Sequence, residues 1–315
     1  MTGEWWQERE LTGCLDQALN HINMANDAAT PDEVTRCRGL FDGLNQCWSA
    51  YRAATNRPHA ADADAIRRLL AEGIPAERRT WLCGCPSIRA VAESGPSIQD
   101  HDALRRSTAN SPFQPLPREL EETASEKRRR QKNHPRRWRE ASSSTAQGKL
   151  LESLAALLSM VRSTMAEGEK TANGPGPGGA GRDREVAAVT IPVLEDVFEA
   201  LFGFPSRRLA VYGTLAPGER NHPVIAGIEG SWSDGHVDGV VRAVAGYPAF
   251  TWKKGKGTVR VRVLTSEALP KHWHRIDGFE GGLYRRILVP VHRPAGSVIA
   301  HIYESRAATA ASARF

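Results

Sequence analysis

Residues 205–221 read PSRRLAVYGTLAPGERN, and the fold turns on this stretch. Before it, apolar residues recur every three or four positions. After it, they come in short β-branched runs bounded by Gly, Pro and Asp. Candidate strands are 208–213, 236–243, 257–264, 286–293 and 297–304, with one helix over 266–277. The change of texture sets a boundary near 203–207. It divides the chain into residues 1–204, read as helical, and 205–315, read as a β-rich α+β domain.

Upstream, residues 9–26 place Leu11, Leu15, Leu19 and Ile22 at helical spacing. Residues 31–54 follow a favourable start, with Thr30 as cap, Pro31 at the first position, and Asp32 and Glu33 in the first turn. Shorter helices are expected over 61–73 and 75–83. Residues 94–125 are poor in apolar residues and read as surface loop with one acidic turn at Glu119–Glu126, and the loop span is taken to 147. The stripe Leu150, Leu151, Leu154, Leu157, Leu158 and Val161 predicts a core-facing helix over 148–166. Residues 171–182 hold five glycines and two prolines and read as a flexible loop. Helix resumes over 183–202, with Pro192 expected to kink or divide it and Gly203 to end it. The N-terminal region is thus expected to be an all-α bundle.

The 315 residues carry a net charge of +6. That charge is local. Residues 127–139 (KRRRQKNHPRRWR) hold eight Lys/Arg and no acid, so the rest of the chain has 34 basic and 36 acidic residues, a net of −2. A run of this kind repels itself and lies solvated. Any nucleic-acid contact through it is expected to be weak, non-specific and salt-sensitive. No run of about 18 apolar residues predicts a membrane span. The opening MTGEWWQERE has three glutamates and no apolar core, so no secretory signal is expected. Five cysteines with no paired spacing suit a reducing, cytoplasmic setting.

The chemistry-bearing residues all lie beyond the boundary. The first strand runs into Tyr212-Gly213-Thr214-Leu215, then Ala-Pro-Gly and Asn221. Later come Trp232, Gly239 and Gly246-Tyr247-Pro248-Ala249. Near the end stand Ile276-Asp277-Gly278-Phe279-Glu280-Gly281 and Tyr284-Arg285-Arg286. A glycine at a strand end lets the backbone turn tightly and lets a ligand approach exposed N–H groups.

The ordered blocks VYGTLAPGERN, GYPAF and IDGFEGGLYRR resemble the gamma-glutamylcyclotransferase-like family, also described as avirulence-induced-gene-like, over about residues 207–305. The resemblance implies a cyclotransferase-like small mixed β-barrel, partly closed, with few helices and a pocket at one mouth. It implies that Tyr212, Gly213, Thr214 and Leu215 bind the glutamyl group through the loop backbone. It assigns Glu280 as general acid/base and puts Tyr284 and Arg286 at the Y-x-R substrate-binding positions. One departure stands out: a V-x-G-x expected in the central strand is replaced by Val259-Arg260-Val261-Arg262-Val263, which narrows the pocket or changes which amide fits.

Without the resemblance, Glu280 reads as a surface glutamate closing a helix–strand loop. Tyr212 and Tyr284 read equally as core aromatics or as substrate contacts, and Asp277 as a cap or turn residue. The chemistry is nonetheless sufficient. When the α-amine of a γ-glutamyl amide attacks its own γ-carbonyl, 5-oxoproline forms and an amine departs. Positioning supplies much of the rate. The protein adds one carboxylate to shuttle a proton and N–H donors for the oxyanion. No metal or cofactor is needed.

In the helical region, Arg162 to Glu167 resembles the R-x4-H turn of HEPN domains, with Glu167 in the histidine position. A glutamate does not titrate as histidine does near neutrality, which implies an inactive or repurposed domain; an unrelated helical bundle is the alternative. A second such spacing, Arg129–His134, falls inside the basic run and is uninformative. Cys83-Gly84-Cys85 lacks C-x2-C spacing, so the cysteines read as core residues rather than zinc ligands. His272 and His274 alternate across a helix and are not a metal pair. Two functions remain open: a cyclotransferase on γ-glutamyl substrates, or a non-catalytic regulatory protein whose HEPN-like domain binds RNA or a partner, in a defence or toxin–antitoxin setting. Oligomeric state is not legible.

Overall fold

A computed structural model describes residues 5–7, 12–27, 32–56, 62–88, parts of 147–162, 179–244 and 247–306. The basic run, the Arg129–His134 spacing, Glu167 and Gly246 lie outside these residues. Contacts divide the chain into two units. One holds Met1–Trp6 and Met24–Leu201; the other holds Gln7–Asn23 and Phe202–Phe315.

Every described element of the first unit is helical: α2 (Glu33–Thr55), α3 (Asp62–Glu72), α4 (Ala76–Gly84), helical residues between 147 and 162, and α5 (Gly179–Phe202) up to Leu201. Asp32, not Thr30, caps α2, because its carboxylate accepts the Thr35 N–H at 2.9 Å. The expected stripe between 147 and 162 is buried at Leu151, Leu154, Leu157, Leu158 and Val161. The helix starts at Gly179, inside the stretch expected to be a loop, and it continues through Pro192 rather than dividing there. The buried face of Val186, Ile191, Leu194, Val197 and Leu201 flanks Pro192 and holds the helix across it, since packing outweighs propensity. Cys37, Cys47 and Cys85 are buried thiols. No helix of the described residues is long and apolar enough to cross a membrane.

The second unit is built on a five-stranded sheet in the order β2-β5-β1-β7-β6. Its strands are β1 (Arg208–Val211), β2 (Ser231–Asp238), β5 (Thr258–Thr265), β6 (Tyr284–Val291) and β7 (Val298–Ser305). Strand β1 runs parallel to β7, and the other pairs are antiparallel. A separate hairpin pairs β3 (Val240–Val244) with β4 (Tyr247–Thr251). Two short helices, α6 (Pro223–Ala226) and α7 (Trp273–Glu280), complete the unit. The sheet is not a closed barrel, which corrects the expectation from the resemblance. Its two edges meet only where His236 and His292 exchange backbone bonds of 2.9 Å.

One face of the sheet buries Ala210, Val237, Val261, Val263, Val289 and Ile302 around Phe250 of the hairpin. The other buries Leu209, Val211, Leu264, Trp273, Ile276 and Tyr303. The expected strand 236–243 is therefore two elements. Gly239 has φ of 149°, and a Cβ there would lie 2.5 Å from the Thr251 oxygen. Only glycine makes that turn, and it sends the chain from the sheet into the hairpin. The expected helix 266–277 lies later, as a 3-10 turn at Leu269–Lys271 followed by α7, and so contains Glu280.

Helix α1 (Thr12–Ala25) contributes to this unit from far away in sequence. The amide of Asn23, 7% exposed, donates to the Leu288 oxygen at 2.9 Å and accepts the Leu288 N–H at 2.7 Å. It thereby fills the open edge of β6, whose backbone would otherwise be buried unpaired. Asp16 pairs with Lys254 at 3.0 Å.

Candidate active site

Strand β1 ends at Val211, and the next four residues form the floor of a cavity of about 260 Å³. Tyr212, Gly213, Thr214, Leu215 and Asn221 line it from this side, Tyr247 and Pro248 from the hairpin, and Phe279, Glu280, Leu283, Tyr284 and Tyr303 from the far side. The loop is braced through its carbonyls. Ala216 N–H donates to Gly213 O at 2.9 Å, and Asn221 N–H to Thr214 O at 3.0 Å. The Asn221 amide also donates to the Thr214 hydroxyl at 2.9 Å. The N–H groups of Gly213, Thr214 and Leu215 donate to no described residue. Gly213 has a steric reason to be glycine, since a Cβ would lie 3.0 Å from Pro248 Cγ.

Glu280 is the last residue of α7, and Gly281, with φ of 63°, ends the helix behind it. Its carboxyl makes no hydrogen bond or ion pair with a described residue. Burial pushes its pKa up from 4.5 to about 7. A carboxylate at a helix C-terminus also faces the negative end of the helix dipole, which works in the same direction.

The other expected site residues fall into two groups. Tyr212, Gly213, Thr214, Leu215, Glu280 and Tyr284 line one cavity. The hydroxyls of both tyrosines are engaged in the framework: that of Tyr212 accepts the Phe250 N–H at 3.4 Å, and that of Tyr284 donates to Pro248 O at 3.1 Å. They fasten the hairpin to the sheet and so hold one wall of the cavity. Burial raises both phenol pKa values, so both stay protonated.

Arg286 does not line the cavity. Its guanidinium pairs with Asp277 at 3.0 and 3.3 Å and lies 4.4 Å from the Trp273 ring centroid. Tyr303 donates to the same Asp277 at 2.6 Å. Asp277 is thus neither a cap nor a second site carboxylate. It anchors α7, whose end bears Glu280. Arg285 pairs at 2.7 Å with Glu304, which is 3% exposed and also accepts the Trp252 N–H at 2.8 Å.

Strand β5 contributes nothing to this cavity: Val261 and Val263 face the core. A V-x-G-x spacing does occur, at Val237–Val240, where Gly239 divides β2 from β3. Phe279 belongs to the motif block but carries no assigned role there. Leu283 sits inside the block 276–286 at a position the motif leaves open, and Tyr303 lies beyond every block, so nothing in their spacing marks these two.

Residues 209–314 match the family described as gamma-glutamyl cyclotransferase, AIG2-like. The C-terminal region of the chain is AIG2-like on that match. No curated protein matches the chain. Among solved structures, YkqA from Bacillus subtilis is similar at 29% identity over 32% of this chain and 36% of that one, with a TM-score of 0.28. The chain thus spans just over a third of YkqA. An uncharacterised protein from Pyrococcus horikoshii is similar at 30% identity over 31% of this chain and 76% of that one, with a TM-score of 0.25. An aig2-like protein from Mus musculus is similar at 23% identity over 32% and 77%, with a TM-score of 0.26.

Proposed function

We propose that the C-terminal unit catalyses intramolecular cyclotransfer on a γ-glutamyl amine or peptide, releasing 5-oxoproline and an amine. The observation that carries the reading is a half-buried carboxyl, unpaired among the described residues, in a small cavity also lined by residues 213–215, whose N–H groups donate to no described residue. The Glu280 carboxylate takes a proton from the substrate's α-ammonium. The freed amine attacks the γ-carbonyl, closing the five-membered ring. Negative charge develops on the carbonyl oxygen and is met by N–H groups of residues 213–215. The C–N bond to the leaving amine then breaks as Glu280 returns the proton to its nitrogen, and Glu280 passes on the second proton of the ring nitrogen too, so that the amine departs as an ammonium and the lactam keeps one N–H. No covalent enzyme intermediate is required. A pKa near neutrality suits a group that must both accept and return one proton.

Tyr247, Phe279 and Leu283 are exposed apolar side chains among the residues lining the cavity. They suit an apolar departing group. For the N-terminal helices we propose a bundle acting as a HEPN-like binding module rather than a nuclease, because Glu167 replaces the histidine. The test is 5-oxoproline release from a panel of γ-glutamyl amines and dipeptides by the full chain. At least one is expected to cyclise. Release of free glutamate without 5-oxoproline, or no turnover on any, overturns the reading.

A further inference from the structure

A second and larger cavity, about 920 Å³, lies beside the strands β2 and β5. Its lining is basic: Arg260, Arg262, Arg293, His236 and His292 face a single carboxylate, Asp234. Register explains the convergence. Arg260 stands opposite His236 and Arg262 opposite Asp234 across the β2–β5 ladder, so all four share one face. The bridge between the sheet edges then brings the rings of His236 and His292 to 5.2 Å and carries Arg293 in beside them.

Among the lining residues the arginine charge is not neutralised; Asp16 interacts with the charge of His292 but does not line the cavity and is held by Lys254. Asp234 is 3.1 Å from Arg262 but 85% exposed, so water screens it. Among the described residues Arg293 reaches only neutral oxygens, those of Ser233 and Gly296, at 3.4 Å each. The Arg260 guanidinium has no partner among the described residues. Like charges placed together repel, and an anion removes that cost.

We propose that this cavity binds a small phosphate-bearing ligand, with Arg260 and Arg293 as its principal contacts. Guanidinium forks match phosphate oxygens in pairs. Several cations against one carboxylate call for a ligand of two or more negative charges, and the cavity has room for more than the anion itself. Val211 and Tyr212 line both cavities, so the ligand sits behind the loop of the candidate active site. The inference does not depend on the cyclotransfer reading.

Calorimetric titration of the full chain with inorganic pyrophosphate at about 0.1 M salt tests it. One saturable site is expected. R260Q and R293Q should each weaken it by about tenfold to a hundredfold, the effect of one charge-assisted contact. Arg260 is exposed, so R260Q should melt with the wild type, and R293Q is an independent second variant. Absence of saturable binding overturns the proposal. So does wild-type affinity in both variants, which would move the site to the basic run. Equal affinity for citrate would make it a carboxylate site. Displacement by a single-stranded oligonucleotide with a steep salt dependence would make it a nucleic-acid track; either result overturns the assignment.

Discussion

Replacing Glu280 by glutamine separates what the carboxyl does for chemistry from what it costs the fold. Below pH 4.5 the group is protonated in the folded and unfolded chain alike, and contributes nothing to stability. Between 4.5 and about 7 the unfolded chain releases the proton and the folded one keeps it, so stability falls as pH rises. Above about 7 the full cost is present. That interval, at about 1.4 kcal/mol per pH unit, corresponds to about 3 kcal/mol, and solvent reaching a half-buried group reduces it to about 2 kcal/mol. E280Q should therefore match the wild type in denaturant unfolding at pH 4 and exceed it by about 2 kcal/mol at pH 8. Turnover to 5-oxoproline should fall about 10²–10⁴-fold in the same variant. Wild-type activity should rise with pH through about 7 as the base ionises. Equal stability of variant and wild type at pH 8 would refute the desolvated carboxyl. Unchanged turnover would refute its role.

Gly213→Ala forces a Cβ to 3.0 Å from Pro248 and displaces the loop; turnover should drop about tenfold to a hundredfold with little change in melting temperature. A parallel loss of stability would instead make the loop a packing element. Arg286→Ala should lower kcat about tenfold and leave KM near its original value, with partial rescue by lysine, because the side chain holds Asp277 and hence α7. A large rise in KM alone would make it a substrate contact. Asn23→Ala leaves Leu288 N–H and C=O without partners and should destabilise the C-terminal unit by about 2–4 kcal/mol in chemical unfolding. A fragment starting at Ser206 lacks Asn23 and Asp16, so it should unfold at lower denaturant than the full chain yet turn over substrate while folded; an inactive folded fragment would place α1 in the site.

The change of texture at Pro205, the glycine loop after the first strand and the block containing Glu280 are all legible in the residues alone. Each has a local cause: β-branched runs favour extended backbone, a glycine permits a tight turn, and an apolar stripe makes a helix face. Local causes also misled. Gly179 and Pro192 disfavour helix, yet α5 starts at the one and runs through the other, where a buried face flanks the proline. The run 236–243 looks like one strand because Gly239 is a single residue in it, and its steric role appears only once Thr251 lies opposite. Contacts between residues distant in the chain set the rest. Burial, not spacing, lifts the Glu280 pKa. Pairing with Asp277 takes Arg286 out of the cavity, and framework bonds engage Tyr212 and Tyr284. Asn23 completes an edge strand 265 positions away. None of these follows from composition or periodicity, because each depends on which surfaces the packed sheet brings together and which it removes from water.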